Sequence, residues 1–232
     1  MTEAENAPQT EGIDATPTDA AAHASAAAAG TGAGATSPRK RPKPGERRAQ
    51  ILRTLATMLE QPGAERVTTA ALAARLEVSE AALYRHFASK AQMFEGLIDF
   101  IEQTVFLLVN QITQREPVPA EQASRIVNML LQFGEKNPGL ARVMAGDALV
   151  YENERLQQRM NLFFDKIETT LRQCLRADVG VEASATPTVE VQVLASMLTV
   201  LAMGRLQRFA RSGFKRLPTE QLDASLKRLL LN

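Results

Sequence analysis

The 232-residue chain contains no tryptophan, one cysteine, two histidines and two tyrosines. The single thiol, Cys174, excludes an internal disulfide framework and a cysteine-rich zinc site, and it points to a reducing cytosol. His23 and His86 leave no histidine-rich metal site, and no Ser/Asp pattern accompanies them to suggest a histidine-based catalytic centre. The chain is therefore expected not to be an enzyme and to need no cofactor or metal. Glu152, Glu154 and Asp165 read as a solvated helix face rather than as cation ligands. No basic start followed by an apolar stretch opens the chain, so no secretory signal is expected. The longest apolar run surrounds Met197–Met203 and is too short to cross a bilayer, which predicts no transmembrane segment.

What is present is an uneven distribution of charge. The net value is only +1, but residues 1–38 carry five acids (Glu3, Glu5, Glu11, Asp14, Asp19) and no Lys or Arg. Residues 39–90 hold 11 Lys/Arg against five acids, whereas residues 91–232 hold 16 of each. A positive segment of this length suggests an electrostatic footprint for a polyanion. The Ala-, Gly-, Thr- and Pro-rich front has almost no large apolar side chain to bury, so composition predicts a disordered acidic tail. It ends in the basic arm Arg39-Lys40-Arg41-Pro42-Lys43-Pro44, which its prolines keep extended. Arms of this kind reach phosphates or the minor groove.

From Glu46 onward the apolar spacing is helical. Ile51, Leu52, Leu55, Met58 and Leu59 share one face, and Pro62-Gly63 ends the run. Thr68-Thr69 open a second helix to Leu76, and Ser79 caps a third running to about Phe87. Ser89 followed by Gln92 has the form of a capping box for a fourth helix. Periodic runs over residues 90–114, 120–136, 150–176, 189–209 and 219–231, with a short helix at 140–145 and a linker at 177–187, complete an all-α chain. The domains expected are a tail and arm (1–44), a helix-turn-helix DNA-binding domain (45–89) and a larger helical domain (90–232). In a helix-turn-helix the second helix enters the major groove while the first crosses the backbone.

The string from Thr68 to Lys90, above all Leu83-Tyr84-Arg85-His86-Phe87 followed by Ser89-Lys90, resembles the TetR family of DNA-binding proteins. Within that family the chain is similar to the nucleoid occlusion factors. The similar segments are Phe133–Leu140, Glu154–Gln157 and Arg208–Lys215 with Pro218-Thr219. The first resemblance covers about fifty residues and the second roughly Gly45–Asn232. It implies a TetR-like fold, a homodimer, palindromic double-stranded DNA as one partner and the division protein FtsZ as another, with a cytoplasmic, nucleoid-associated location. The alternative within the family is a ligand-responsive transcriptional repressor, which needs a pocket in the larger domain. A non-DNA helical interaction protein does not account for the basic segment or the motif.

Site residues follow position by position. Arg47 lies in the basic first helix. Thr68 and Thr69 open the first motif helix, where hydroxyls and free N–H groups bind a phosphate. Ser79, Glu80 and Ala81 start the recognition helix; Ala81 and its neighbour Ala82 suit thymine methyls, and Glu80 suits cytosine N4. Tyr84 and His86 match family positions that meet phosphates, His86 having a buried, hydrogen-bonded ring as its alternative. Arg85 suits either a base or a phosphate. Lys90 at a helix N-terminus is expected as a phosphate clamp. Leu83, Phe87 and Cys174 read as core. For FtsZ, the resemblance points to the fourth and fifth helices, with Phe100, Met129, Lys136 and Asn137 as candidates; Phe100 reads equally as core.

Two departures from the family pattern stand out. Glu77 occupies a turn position that is usually glycine, and either the turn is reshaped or Glu77 adopts a positive φ. Ala88 replaces a common proline. For the dimer, Leu194, Met197, Leu198, Leu201, Met203 and Leu206 form one apolar stripe, and Leu222, Leu226, Leu229 and Leu230 a second. Pairing both with a symmetry mate gives a four-helix bundle.

Overall fold

A computed structural model describes residues 45–61, 66–176 and 187–230; the tail, the basic arm and most of the expected linker lie outside the described residues. Among the described residues, nine α-helices follow in order: α1 (Glu46–Leu59), α2 (Thr69–Arg75), α3 (Glu80–Tyr84), α4 (Lys90–Arg115), α5 (Pro119–Lys136), α6 (Pro138–Met144), α7 (Glu154–Arg176), α8 (Pro187–Arg211) and α9 (Leu222–Leu230). A 3-10 turn at Asp147–Leu149 lies between α6 and α7. Among the described residues there is no strand. The fold is all-α, with the short helices α1–α3 ahead of the long ones.

Local chemistry sets the boundaries. Thr68, Ser79 and Ser89 each stand in extended backbone and accept a hydrogen bond from the N–H three residues on, closing the first turns of α2, α3 and α4. Gln92 completes the expected box one residue further back than usual, accepting from the Ala88 N–H at 2.8 Å. Pro119 and Pro138 stand in the first turns of α5 and α6, where a missing N–H costs nothing. The helix expected to reach Phe87 stops at Tyr84. The N–H groups of His86 and Phe87 both fold back on the Leu83 carbonyl, and that tightened turn sends Phe87 inward, where it is 1% exposed.

One apolar core runs from Ile51 to Leu226. Leu72, Leu83, Phe87, Met93 and Phe94 bind the short helices to the start of α4. Ile101, Val105, Leu130, Phe163, Ile167 and Leu198 fill the space between the long ones, all at 1% exposure or less. Helix α6 lies so close to α1 that a Cβ added at Gly139 would stand 2.0 Å from the Ala56 carbonyl oxygen. Arg142 on α6 is buried, donates to the Gln61 carbonyl at 3.0 Å and covers the Phe214 ring at 4.9 Å. The N-terminal helix α1 and the C-terminal region around Phe214 are thus joined by packing through α6.

One expectation is corrected. The apolar run around Met197 is not short, because an 18-residue stretch of α8 within Thr188–Arg211 reaches a mean hydropathy of 1.4, so the helix is long and apolar enough to cross a membrane by length and composition alone. The cause lies in its two apolar faces. Val191, Ala195, Leu198, Ala202, Leu206 and Phe209 enter the core of this chain, while Val189, Val193, Met197, Val200 and Met203 are exposed on the other side. The expected dimer stripe therefore divides: Leu198 and Leu206 belong to the core, and the exposed face is the valine–methionine row beside them.

Candidate nucleic-acid interface

The α2–turn–α3 unit is short, and its geometry depends on the residue between the helices. Glu77 adopts φ 53°, so the turn keeps the left-handed position that the family fills with glycine, and this chain accepts a side chain there. Its N–H bonds to the Ala74 carbonyl, and the Val78 N–H bonds to the Ala73 carbonyl. These close α2 and aim Ser79 into α3. Across the unit, the Thr69 hydroxyl donates to the Glu80 carboxylate at 2.6 Å, fixing the angle between the two helices.

Ala81, Tyr84, Arg85 and His86 are all exposed on or just after α3, and Leu83 between them is fully buried. His86 is therefore not a buried ring. Tyr84 is 46% exposed although aromatic, and it presents an apolar face with a hydroxyl tip to solvent. Thr68 is exposed but its hydroxyl already caps α2. Arg47 is half-buried and donates to Gln50 at 2.9 Å. Arg48, which sequence reasoning passed over, lies over the Phe87 ring at 4.4 Å and ties the basic start of α1 to the end of the motif.

Two expected DNA contacts have partners within the chain. Glu80 holds Thr69, so its carboxylate orients the motif in the described state rather than standing free for a base. Lys90 forms an ion pair with Glu152, 62 residues away, and sits 5.7 Å from the Phe94 ring. The Glu152 side chain is only 9% exposed, so this pair is far better shielded than an ordinary surface bridge. Glu152 belongs to the segment that also exposes Val150 and Tyr151. Nothing local in the sequence reveals this partner.

The candidates for a protein partner are more scattered. Phe100 is 47% exposed on α4, which resolves its two readings in favour of the surface, and Leu107, two turns further on, shares that face at 58% exposure. Met129 on α5 is half-buried against the core. Lys136 is exposed at the end of α5. Asn137 is committed to structure, donating to the Phe133 carbonyl at 2.8 Å in the α5–α6 turn. Among the described residues no group of three or more His, Cys, Asp or Glu is placed to hold a metal ion, and Glu154 accepts from Gln158 at 3.3 Å. Cys174 is buried, and desolvation pushes its thiol pKa up.

Comparison with known proteins agrees with this arrangement. Residues 51–97 match the family described as bacterial regulatory proteins, tetR family, and residues 121–232 match a Tetracyclin repressor-like, C-terminal domain of SlmA-like type. The nucleoid occlusion factor SlmA of Vibrio vulnificus (strain YJ016) is 50% identical over 182 residues, covering 78% of this chain and 92% of that protein. The nucleoid occlusion factor SlmA of Shewanella sediminis is 50% identical over 177 residues, covering 76% of this chain and 89% of its own length. Among solved structures, a TetR-like transcriptional regulator from Rhodococcus sp. RHA1 superposes with a TM-score of 0.65 at 18% identity, covering 83% of this chain and all of that one. The FadR regulator of Bacillus subtilis, solved with stearoyl-CoA, gives a TM-score of 0.60 at 14% identity over 78% of this chain and 97% of its own. These structural likenesses concern the fold alone.

Proposed function

The chain belongs to the SlmA group of the TetR family, and from that premise we propose that it is a nucleoid occlusion factor, a DNA-bound dimer that restrains FtsZ assembly over the chromosome. The observation that carries this reading is an identity of one half with SlmA proteins over nearly their whole length, which takes in the helix-turn-helix and the C-terminal helices together. In this reading the protein is a regulator rather than an enzyme, at work in the cytoplasm on the nucleoid.

In this reading residues 45–89 form the reading head and residues 90–232 the dimerisation and partner domain. Helix α3 enters the major groove. Ala81 lies against base methyls, Arg85 reaches a base edge or a phosphate, and Tyr84 and His86 meet the backbone. The N-termini of α2 and α3, at Thr68, Thr69 and Ser79, face phosphates with their unsatisfied N–H groups. Arg47 adds charge from α1. Glu80 acts by holding Thr69, which leaves its role toward cytosine secondary. Lys90 exchanges Glu152 for a phosphate when DNA arrives. The exposed row Val193, Met197 and Val200 on α8, with α9 beside it, meets its symmetry mate. FtsZ is met by Phe100 and Leu107 on α4 and by Met129, Lys136 and Asn137 on α5, Lys136 contributing a charge suited to an acidic segment and Asn137 fixing the turn.

The test is sedimentation of FtsZ polymers with GTP, in the presence of this protein and with or without fragments of its own chromosomal DNA. Less polymer in the pellet, and less still with specific DNA, is the expected result. An unaffected pellet with sequence-specific DNA binding intact would remove FtsZ from the account and leave ligand-responsive repression. Lys136→Glu is expected to lose the effect on FtsZ while binding DNA normally; equal loss of both would show that the two surfaces are not separate.

A further inference from the structure

The sequence from Val191 to Thr219 contains no Asp or Glu, and its second half holds Arg205, Arg208, Arg211, Lys215 and Arg216. The fold gathers these cations around the C-terminal end of α8. A hollow of about 500 Å³ there is lined by Gln207, Arg208, Arg211, Ser212, Lys215 and Arg216. A second, of about 250 Å³, shares Arg208 and Arg216 and continues toward Pro218, Gln221 and the carboxylate of Glu220. The first has no carboxylate in its lining. Among the described residues, its four cations make a single, long ion pair, Arg211 to Asp147 at 3.6 Å.

The loop that completes the hollow is built rather than loose. Gly213 and Phe214 both adopt positive φ, 62° and 65°, and such backbone in a phenylalanine persists only where its surroundings enforce it. Here the Phe214 N–H bonds to the Phe209 carbonyl at 2.9 Å, the two rings meet edge to face at 5.1 Å, and Arg142 covers Phe214 from the other side. The Ser212 hydroxyl accepts from the N–H groups of Lys215 and Arg216, fixing the backbone that carries those two cations. Beneath them Arg205 is spent on structure, donating to the carbonyls of Pro218 and Glu220 and to the Ser225 hydroxyl. Burial, with the neighbouring positive charge of Arg208 second, lowers the pKa of Arg205. Like charges are thus held together on a stiff frame against their own repulsion.

We propose that this hollow is a binding site for a compact, multiply phosphorylated anion of the triphosphate class. Three of its four cations are arginines, whose forked N–H groups match phosphate oxygens two at a time. Four cations clustered on one small depression match a compact anion better than a duplex, whose phosphates are spread along an extended track. The lining of the hollow shares no residue with α3.

The experiment is calorimetric titration of the full chain with inorganic tripolyphosphate and with ATP, at about 0.15 M salt so that diffuse attraction is screened. The same titrations are made on R208Q/R216Q, on K215Q and on R85Q. The expected result is saturable one-to-one binding that falls roughly tenfold or more in R208Q/R216Q, falls less in K215Q and is unchanged in R85Q. DNA affinity and melting temperature should be retained in R208Q/R216Q, since both side chains are exposed and neither is held by a hydrogen bond or ion pair among the described residues. Absence of saturable binding, or equal loss in R85Q, would overturn the site. Loss of DNA affinity in R208Q/R216Q without any tripolyphosphate binding would make the hollow part of the DNA interface instead. Binding to phosphatidylglycerol vesicles but to neither soluble anion would also overturn it, by making the cluster a membrane contact.

Discussion

Glu77 shows how far single residues were legible. The sequence marks it as a departure from glycine but leaves two geometries open, and the structure selects the left-handed one. A non-glycine residue there costs about 1–2 kcal/mol, partly offset by the greater chain entropy that glycine loses on folding. Glu77→Gly is therefore expected to stabilise the protein by roughly 0.5–1 kcal/mol, read from urea unfolding. A lower unfolding midpoint would mean that the glutamate side chain contributes more than its backbone costs. Glu60, at the end of α1, gives a pH-dependent counterpart. Burial raises its carboxyl pKa, so the folded state binds the proton more tightly than the unfolded chain does. The stability it adds is complete below the unfolded pKa and is lost as pH rises through the higher folded one. Glu60→Gln should accordingly raise the melting temperature at pH 7 and leave it nearly unchanged near pH 4; an equal gain at both would trace the effect to packing instead.

At the scale of elements, helical periodicity and capping residues placed the described helices to within a few residues, because both act within one or two turns of chain. The recognition helix was read too long for the same reason. Phe87 continues the helical spacing, but its burial under Arg48 and beside α4 is a tertiary fact that ends the helix at Tyr84. The partners of Lys90 were out of reach, since Glu152 is brought to it only by the packing of α4, α5 and α6. That pair yields a prediction about how α4 meets DNA. Glu152→Gln leaves Lys90 free for a phosphate and is expected to raise affinity for all DNA sequences severalfold, whereas Lys90→Ala should weaken all of them and reduce the salt slope by about 1. An unchanged slope in Lys90→Ala would mean that Lys90 stays with Glu152 in the complex. The α1–α6 contact gives a prediction of the opposite kind. Gly139→Ala would drive a methyl into the Ala56 carbonyl, which has no room to withdraw without moving α1. A loss of about 2 kcal/mol or more is expected, with DNA binding weakened in step because α1 carries the reading head.

At the scale of the whole molecule, charge and apolar surface were legible only in part, and averaging is the cause. Over residues 91–232 the charges cancel, which hid the basic cluster at the end of α8; read in a shorter window, the absence of acids from Val191 to Thr219 exposes it. The dimer stripe suffered the converse error, because a helix apolar on two sides does not say which side is its own core. Once the core-facing residues are removed, Val193, Met197 and Val200 remain exposed at 51%, 48% and 63%, one helical face with Gly204 following it at the surface. A single charge at the centre of such a face has no water to turn to when two copies close over it. Val200→Asp is expected to leave each chain folded, since Val200 touches little of its own core, and to move sedimentation equilibrium from dimer to monomer. The binding consequence is the sharper test. Two linked half-sites hold a dimer far more tightly than either alone, so the variant should fall by two or more orders of magnitude on the palindrome and much less on an isolated half-site. A variant that remained dimeric, or that lost both affinities equally, would move the interface away from the exposed face of α8 and onto another of the apolar patches this chain presents.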